Sequence, residues 1–138
     1  MEIIIQSSYA FIILIVCCTW FLLNWLESRV LQGRSRHHVP YPNMYSDHSL
    51  MFNCIQRAHQ NTLEVYPMFL VLLIFGGLQY PKLSAVCGVI WIVSRVFYAL
   101  GYYTGDPEKR KWGTFGYIGM LILLIINVKF ALNLLGLI

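Results

Sequence analysis

Three polar residues lie at helical spacing in the segment NCIQRAHQNTLEVYP, residues 53–67. Arg57, Asn61 and Glu64 follow one another at intervals of four and three residues, so on an α-helix their side chains fall within about 60° of one another. The guanidinium and the carboxylate are expected about 10 Å apart along that helix. Such a pair suits the zwitterionic head of an amino acid, because the carboxylate can bind an ammonium and the guanidinium a carboxylate. With further arginines nearby, the pattern favours a small anionic peptide as the ligand.

A second polar stripe is predicted from Arg95, Tyr98 and Tyr102, which share one helical face. An arginine that faces lipid is costly, so this face is expected to pack against protein. Facing stripes on two helices would form a polar cleft. In an isolated bundle the stripes of Arg57 and Arg95 would turn toward lipid, which favours an oligomer.

The elements that must hold these stripes are membrane helices. The 138-residue chain is 58% hydrophobic and 12% charged, and its mean hydropathy is +0.62, which is far more apolar than a soluble domain. Four apolar segments are candidates to cross a bilayer, at residues 3–26, 65–78, 83–103 and 115–138. The sequence therefore predicts an all-α integral membrane protein, a single four-transmembrane-helix bundle over residues 1–138.

The second helix is predicted to begin well before its apolar segment. It should run from Leu50 to about Leu78, with Asp47 or Ser49 as its N-terminal cap and a kink at Pro67. At 1.5 Å per residue, its first three or four turns would stand clear of the hydrocarbon. The polar stripe then lies where the helix enters the membrane.

Basic residues predict the orientation of the bundle. The loop at about residues 27–50 contains three arginines, and the loop after the third helix contains the run KRK at residues 109–111. By the positive-inside rule both loops are cytosolic. The first apolar segment is expected to stay in the mature protein, because its leading charge is Glu2 and no small-residue cleavage site follows before Arg29.

Several other chemistries are disfavoured. The net charge of +4 is too small and scattered for a nucleic-acid surface, although a basic cytosolic rim would attract a small anion or anionic lipid headgroups. The four cysteines lie in or beside apolar segments without a C-x-x-C pair, so disulfides are not expected. His37 and His38 are adjacent but lack a third ligand at metal-binding spacing, so no metal site is assigned.

The runs FNCIQRAHQNTLEVYP and WIVSRVFYALGYYTGDPEKR resemble the membrane-associated proteins in eicosanoid and glutathione metabolism, and the four-helix layout agrees along nearly the whole chain. The resemblance implies a homotrimer in the endoplasmic reticulum or a related membrane. It also implies an enzyme, a glutathione transferase with glutathione peroxidase activity. Glutathione would be the co-substrate, bound between subunits near the cytosolic face, and its thiolate would attack a lipophilic electrophile or a lipid hydroperoxide.

The same resemblance gives each matching residue an expected role. Arg110 would stabilise the glutathione thiolate, although Lys109 competes for this match because the third loop is one residue longer than in the family pattern. Arg34 and His59 would lie near the glycyl carboxylate. The γ-glutamyl end would be held by residues of both stripes, namely Arg57, Asn61, Glu64, Tyr98 and Tyr102.

Two departures from the family pattern bear on the substrate. Val65 follows the motif glutamate where leukotriene C₄ synthase has a tyrosine, and Ser35 follows Arg34 where that enzyme has a second arginine. These differences weaken the expectation of leukotriene C₄ synthesis more than that of glutathione binding.

The alternative function is a non-catalytic lipid-binding scaffold of the same fold that presents a fatty acid to a partner enzyme.

Overall fold

Four long helices account for most of the chain in a computed structural model, which describes residues 6–137. Helix α1 is Ala10–His37, α2 is Leu50–Gln79, α3 is Pro81–Tyr102 and α4 is Gly116–Leu134. A 3₁₀ turn, Ser7–Tyr9, precedes α1, and a longer 3₁₀ segment, Pro107–Gly113, lies between α3 and α4. All four helices are long and apolar enough to cross a membrane. The predicted all-α membrane fold is confirmed.

Consecutive helices pack antiparallel. The Tyr9 hydroxyl, just before α1, donates to the Ile74 carbonyl near the end of α2 at 3.3 Å. Across α2 and α3, the rings of Phe69 and Trp91 stack with centroids 3.9 Å apart, and this aromatic pair lies in the buried core. The end of α1, the start of α2, the end of α3 and the start of α4 therefore meet at one edge of the bundle.

Helix α1 extends further than predicted. The prediction ended it at Leu26 and placed the following arginines in a loop, whereas α1 continues to His37; residues 3–5 of the predicted span lie outside the described residues. Hydropathy marks where a helix leaves lipid and not where it ends, and the residues after Leu26 include no proline before Pro40. The basic residues of the last turn also stabilise its negative dipole end. Arg29, Arg34 and Arg36 are thus on α1.

Helix α2 matches its prediction within one residue. Of the two candidate caps, Ser49 is the one used, because its hydroxyl accepts from the Phe52 amide at 3.2 Å. The helix continues through Pro67 to Gln79. Its polar first turns and its apolar remainder form one continuous helix, and the kink at Pro67 stays a prediction.

The last two helices differ modestly from their predicted bounds. Helix α3 begins at Pro81, which suits a first helical position. Helix α4 begins at Gly116 and ends at Leu134, and the predicted end at Ile138 lies outside the described residues. Gly113 is the last residue of the 3₁₀ segment. A side chain at Gly101 would collide with the carbonyl of Lys109, so this glycine lets the 3₁₀ segment lie directly on α3.

Candidate functional site

The predicted stripe on α2 is present, but its two charges touch. Nη1 of Arg57 lies 2.9 Å from Oε1 of Glu64, and Nη2 lies 3.0 Å from Oε2. The expectation that the charges stand about 10 Å apart, each open to a ligand, is therefore wrong. Both side chains are long enough to reach along two turns of the same face, and the bidentate geometry stabilises the pair. The pair remains accessible, with the two side chains 35% and 46% exposed.

Arg95 joins the stripe of α3 to that of α2. Its Nε donates to the Thr62 hydroxyl at 3.1 Å, and its Nη2 donates to Oδ1 of Asn61 at 2.9 Å. The guanidinium carbon lies 3.8 Å from the ring centroid of Tyr98, and Arg95 is only 5% exposed. A single chain therefore buries this arginine, contrary to the expectation that an isolated bundle would turn it toward lipid. Arg95 provides no argument for an oligomer.

Asn61 connects the two arginines of the site. While its Oδ1 accepts from Arg95, its Nδ2 lies 3.4 Å from Oε2 of Glu64 and donates to that carboxylate. The amide can serve both neighbours only in this orientation, because the carbonyl oxygen accepts and the nitrogen donates. The network therefore runs without interruption from the exposed ion pair to the buried guanidinium.

Tyr98 and Tyr102 continue this network toward the edge of the bundle. Their rings are 5.2 Å apart at an interplanar angle of 79°, an edge-to-face arrangement. Tyr102 is buried and Tyr98 is partly buried under Arg95. The two stripes therefore meet, but Arg95 and Asn61 fill the space between them, so the stripes form a packed polar network and not the cleft that the sequence predicted.

Arg110 lies on the 3₁₀ segment and is held by its neighbours. Its Nη1 donates to the Pro107 carbonyl at 2.7 Å and to Oε1 of Glu108 at 3.2 Å. Glu108 also pairs with Lys111, and these two cations hold the pKa of the Glu108 carboxyl below its usual range. The same carboxylate raises the pKa of Arg110, so the guanidinium stays charged. Lys109, the competing candidate, is exposed and forms no ion pair with residues 6–137.

Sequence reasoning missed Glu108. A signal was available, because a carboxylate two residues before Arg110 and three before Lys111 meets both cations on a tight turn. The prediction considered only the cations of this loop. Pro107 and Glu108 engage only Nη1 of Arg110, so a ligand could reach this arginine through Nε and Nη2 or by replacing Glu108.

Arg34 on α1 and His59 on α2 both lie apart from the face of α2 that contains Arg57. Arg34 donates to the Asn43 carbonyl at 2.7 Å, and its guanidinium lies 5.4 Å from the ring centroid of Phe52. His59 lies seven residues after Phe52, hence on the same face of α2, and about 160° around the helix from Arg57. Within one chain, Arg34 and His59 are therefore separated from the stripe of Arg57, Asn61 and Glu64.

A small cavity lies beside Arg95, between α2, α3 and α4. Its volume is about 50 Å³, which holds a few water molecules at most. The residues that line it include Val65, Trp91, Ser94 and Tyr117. This space cannot hold a tripeptide, so a ligand of that size would have to lie on the exposed side of the network.

The remaining candidate ligands do not converge. Cys17, Cys18, Cys54 and Cys87 are free thiols. Among residues 6–137, no three His, Cys, Asp or Glu side chains cluster closely enough to hold a metal ion.

Comparison with known proteins gives the family. The sequence matches the MAPEG family over residues 12–130. The chain belongs to this family. The resemblance inferred from the two motifs is confirmed, since MAPEG proteins are the membrane-associated proteins in eicosanoid and glutathione metabolism. Together with the four apolar helices, membership identifies an integral membrane protein.

Similar proteins come from both animals and a microbe. Microsomal glutathione S-transferase 2 of Mus musculus is 34% identical over 120 residues, 86% of this chain and 78% of the mouse protein. The Bos taurus protein of that name is 33% identical over 104 residues, 75% of this chain and 69% of its own. An uncharacterized protein of Synechocystis sp. is 36% identical over 113 residues, 81% of each chain. The two sequence motifs also resemble microsomal glutathione S-transferase 3. The difference between transferases 2 and 3 is minor within this one family.

Proposed function

We propose that this chain is a glutathione transferase of the endoplasmic reticulum or a related intracellular membrane, with its site toward the cytosol. The observation that carries the proposal is the continuous polar network from the Arg57–Glu64 pair through Asn61 and Arg95 to Tyr98, at the edge of a membrane bundle. The names of the mouse and bovine relatives support the same activity.

The network suits the γ-glutamyl end of glutathione. The ammonium would bind Glu64 and the neighbouring carboxylate would bind Arg57, so that each member of the ion pair exchanges its partner for a ligand group of the same charge. No charge is left unpaired by this exchange, which matters where water gives way to lipid. Asn61, Tyr98 and Tyr102 would add hydrogen bonds to the same end.

The glycyl end is assigned to the second group of site residues. Arg34, which lies on α1 against Phe52, and His59 are on the side of α2 away from Arg57, so they would reach the ligand held by a neighbouring subunit. This arrangement supports a site shared between subunits of a homotrimer, with the number three taken from the family. A monomeric mass in mild detergent, measured with glutathione still bound, would contradict the shared site.

Catalysis would consist of ionising the glutathione thiol and holding it beside a lipophilic partner. Arg110 would leave Glu108 and donate to the sulfur, which lowers a thiol pKa of about 8.5 in the free state. The thiolate then attacks a carbon of an electrophile from the bilayer and forms a thioether, with departure of a leaving group such as chloride or with opening of an epoxide whose oxygen takes up a proton. With a lipid hydroperoxide, attack on the terminal oxygen releases the alcohol, and a second glutathione converts the sulfenic acid formed to disulfide and water.

Turnover measurements test this proposal directly. The purified full chain in mild detergent should conjugate glutathione to chlorodinitrobenzene and reduce a lipid hydroperoxide, and leukotriene C₄ synthesis from leukotriene A₄ is the finer activity to assay beside them. Glutathione binding without any turnover would favour the scaffold that presents a fatty acid to a partner enzyme. The observation that favours this second function is the Glu108–Arg110 ion pair, because it occupies a nitrogen of the arginine proposed to activate the thiol.

A further inference from the structure

A second polar groove lies at the same edge of the bundle but uses other residues. It is enclosed by the last turns of α1, the start of α2 and the turn after α3, and its volume is about 190 Å³. Its principal lining residues are Arg29, Gln32, Arg36, Met51, Ile55 and Tyr103. None of these belongs to the proposed glutathione site.

The α1 wall of this groove is basic and unpaired. Arg29, Gln32 and Arg36 follow at intervals of three and four residues and share one helical face. Neither arginine forms an ion pair with any residue from 6 to 137. No acidic side chain lines the groove. Two guanidinium groups and an amide therefore face the same space with their donors free for an anion.

Tyr103 supplies an independent observation. Its hydroxyl is buried and has no hydrogen-bond partner within the described part of the chain. A buried hydroxyl without a partner is destabilising and uncommon in folded proteins.

The aromatic residues around the groove indicate where it lies relative to the membrane. The Trp25 ring packs edge to face on Tyr103, with centroids 5.8 Å apart, and the Arg29 guanidinium lies 5.9 Å from the Trp25 ring centroid. Tryptophan and tyrosine concentrate where hydrocarbon meets headgroups. The Met51 and Ile55 side of the groove is apolar, so the site offers both a basic pole and a surface for the first carbons of a lipid.

We propose that this groove binds the phosphate of an anionic phospholipid headgroup, held by Arg29 and Arg36 with Tyr103 as a further donor. Arginine recognises phosphate through paired, charge-assisted hydrogen bonds. Free inorganic phosphate shares this chemistry, but the interfacial depth and the apolar wall favour the lipid.

Native mass spectrometry of the full chain in mild detergent tests the site. Short-chain phosphatidylglycerol should bind more tightly than phosphatidylcholine, and the double variant Arg29→Gln with Arg36→Gln should weaken phosphatidylglycerol binding at least about tenfold. The control variant, Lys82→Gln with Lys129→Gln, removes two charges elsewhere and should leave binding unchanged. Equal weakening in both double variants would show general attraction to a basic protein and overturn the site.

Tyr103→Phe and inorganic phosphate complete the test. The phenylalanine variant should bind phosphatidylglycerol severalfold more weakly while unfolding at the same or a higher temperature, because the hydroxyl has no partner to lose. Unchanged lipid affinity in this variant would overturn the assignment of the hydroxyl. Inorganic phosphate at the concentration of the lipid should not displace it, and full displacement would show that free phosphate, not a headgroup, is the ligand.

Discussion

Replacing Glu64 by glutamine tests the central feature of the proposed glutathione site. The change keeps the shape of the side chain and removes the charge that pairs with Arg57 at 2.9 and 3.0 Å. Because both side chains are substantially exposed, loss of the pair should hardly change stability. In the proposed complex the same carboxylate binds the γ-glutamyl ammonium, so the main effect should fall on the ligand.

The expected loss of affinity follows from the two interactions that compete for Glu64. A hydrogen bond to a charged group corresponds to roughly a 10- to 100-fold change in a binding constant. Glutathione must displace Arg57 from Glu64 in the wild type and need not do so in Glu64→Gln, which offsets part of the loss. Glutathione binding should therefore weaken about tenfold, near the lower end of this range.

Calorimetric titration with two ligands isolates the contact. Glutathione carries the ammonium, whereas N-acetylglutathione lacks that charge. Glu64→Gln should therefore leave the affinity of the acetylated ligand unchanged or raise it, because its carboxylate no longer has to displace Glu64 from Arg57. Asp47→Asn, which removes one negative charge from the loop at the same edge, should leave both affinities unchanged. Equal losses for the two ligands in Glu64→Gln would refute the idea that this carboxylate faces the ammonium.

Three further perturbations test other parts of the structure. Arg110→Ala should bind glutathione but lose its ultraviolet thiolate absorbance and most of its turnover at neutral pH, with partial recovery toward the free thiol pKa of about 8.5; a loss in Lys109→Ala instead would reverse the assignment. Thr62→Val leaves Nε of buried Arg95 without an acceptor and should lower the free energy of unfolding by about 1–3 kcal/mol, and an unchanged melting temperature in detergent would contradict this role. The pKa of Glu108 is lower in the folded chain than its ordinary value of about 4.3. The ion pairs of Glu108 therefore stabilise the folded 3₁₀ segment above a pH of about 4.3, and this stabilisation is lost as the pH falls through the lower folded pKa. Fluorescence of the tryptophan in the 3₁₀ segment should change in that acid range, and it should not in Glu108→Gln.

The sequence was sufficient for features that depend on local patterns. Helix α2 was placed within one residue because a serine cap and a helical stripe mark its polar start. The shared face of Arg57, Asn61 and Glu64 follows from helix geometry alone. The end of α1 was misplaced by eleven residues, from Leu26 to His37, because hydropathy reports contact with lipid and not backbone conformation.

Features that depend on side-chain reach were not predictable from spacing. Backbone rise gave the separation of Arg57 and Glu64 along the helix, but the two side chains lean toward each other and close it. Burial of Arg95 depends on the match of its donors with Thr62 and Asn61 on another helix. The charge spacing around Glu108 did offer a signal, but its pairing with Arg110 depends on a 3₁₀ turn that the apolar pattern does not reveal.

The two opposed faces of α2 have a consequence for mixed assemblies. Under the proposed sharing, Arg57 of one subunit meets His59 of the next, which is a head-to-tail contact that closes into a ring. A defect at Arg57 and a defect at His59 would then disable opposite sides of a subunit. Co-expressing two such inactive variants should regenerate intact sites wherever the unaffected faces meet, so activity would reappear in the mixture although neither parent has any.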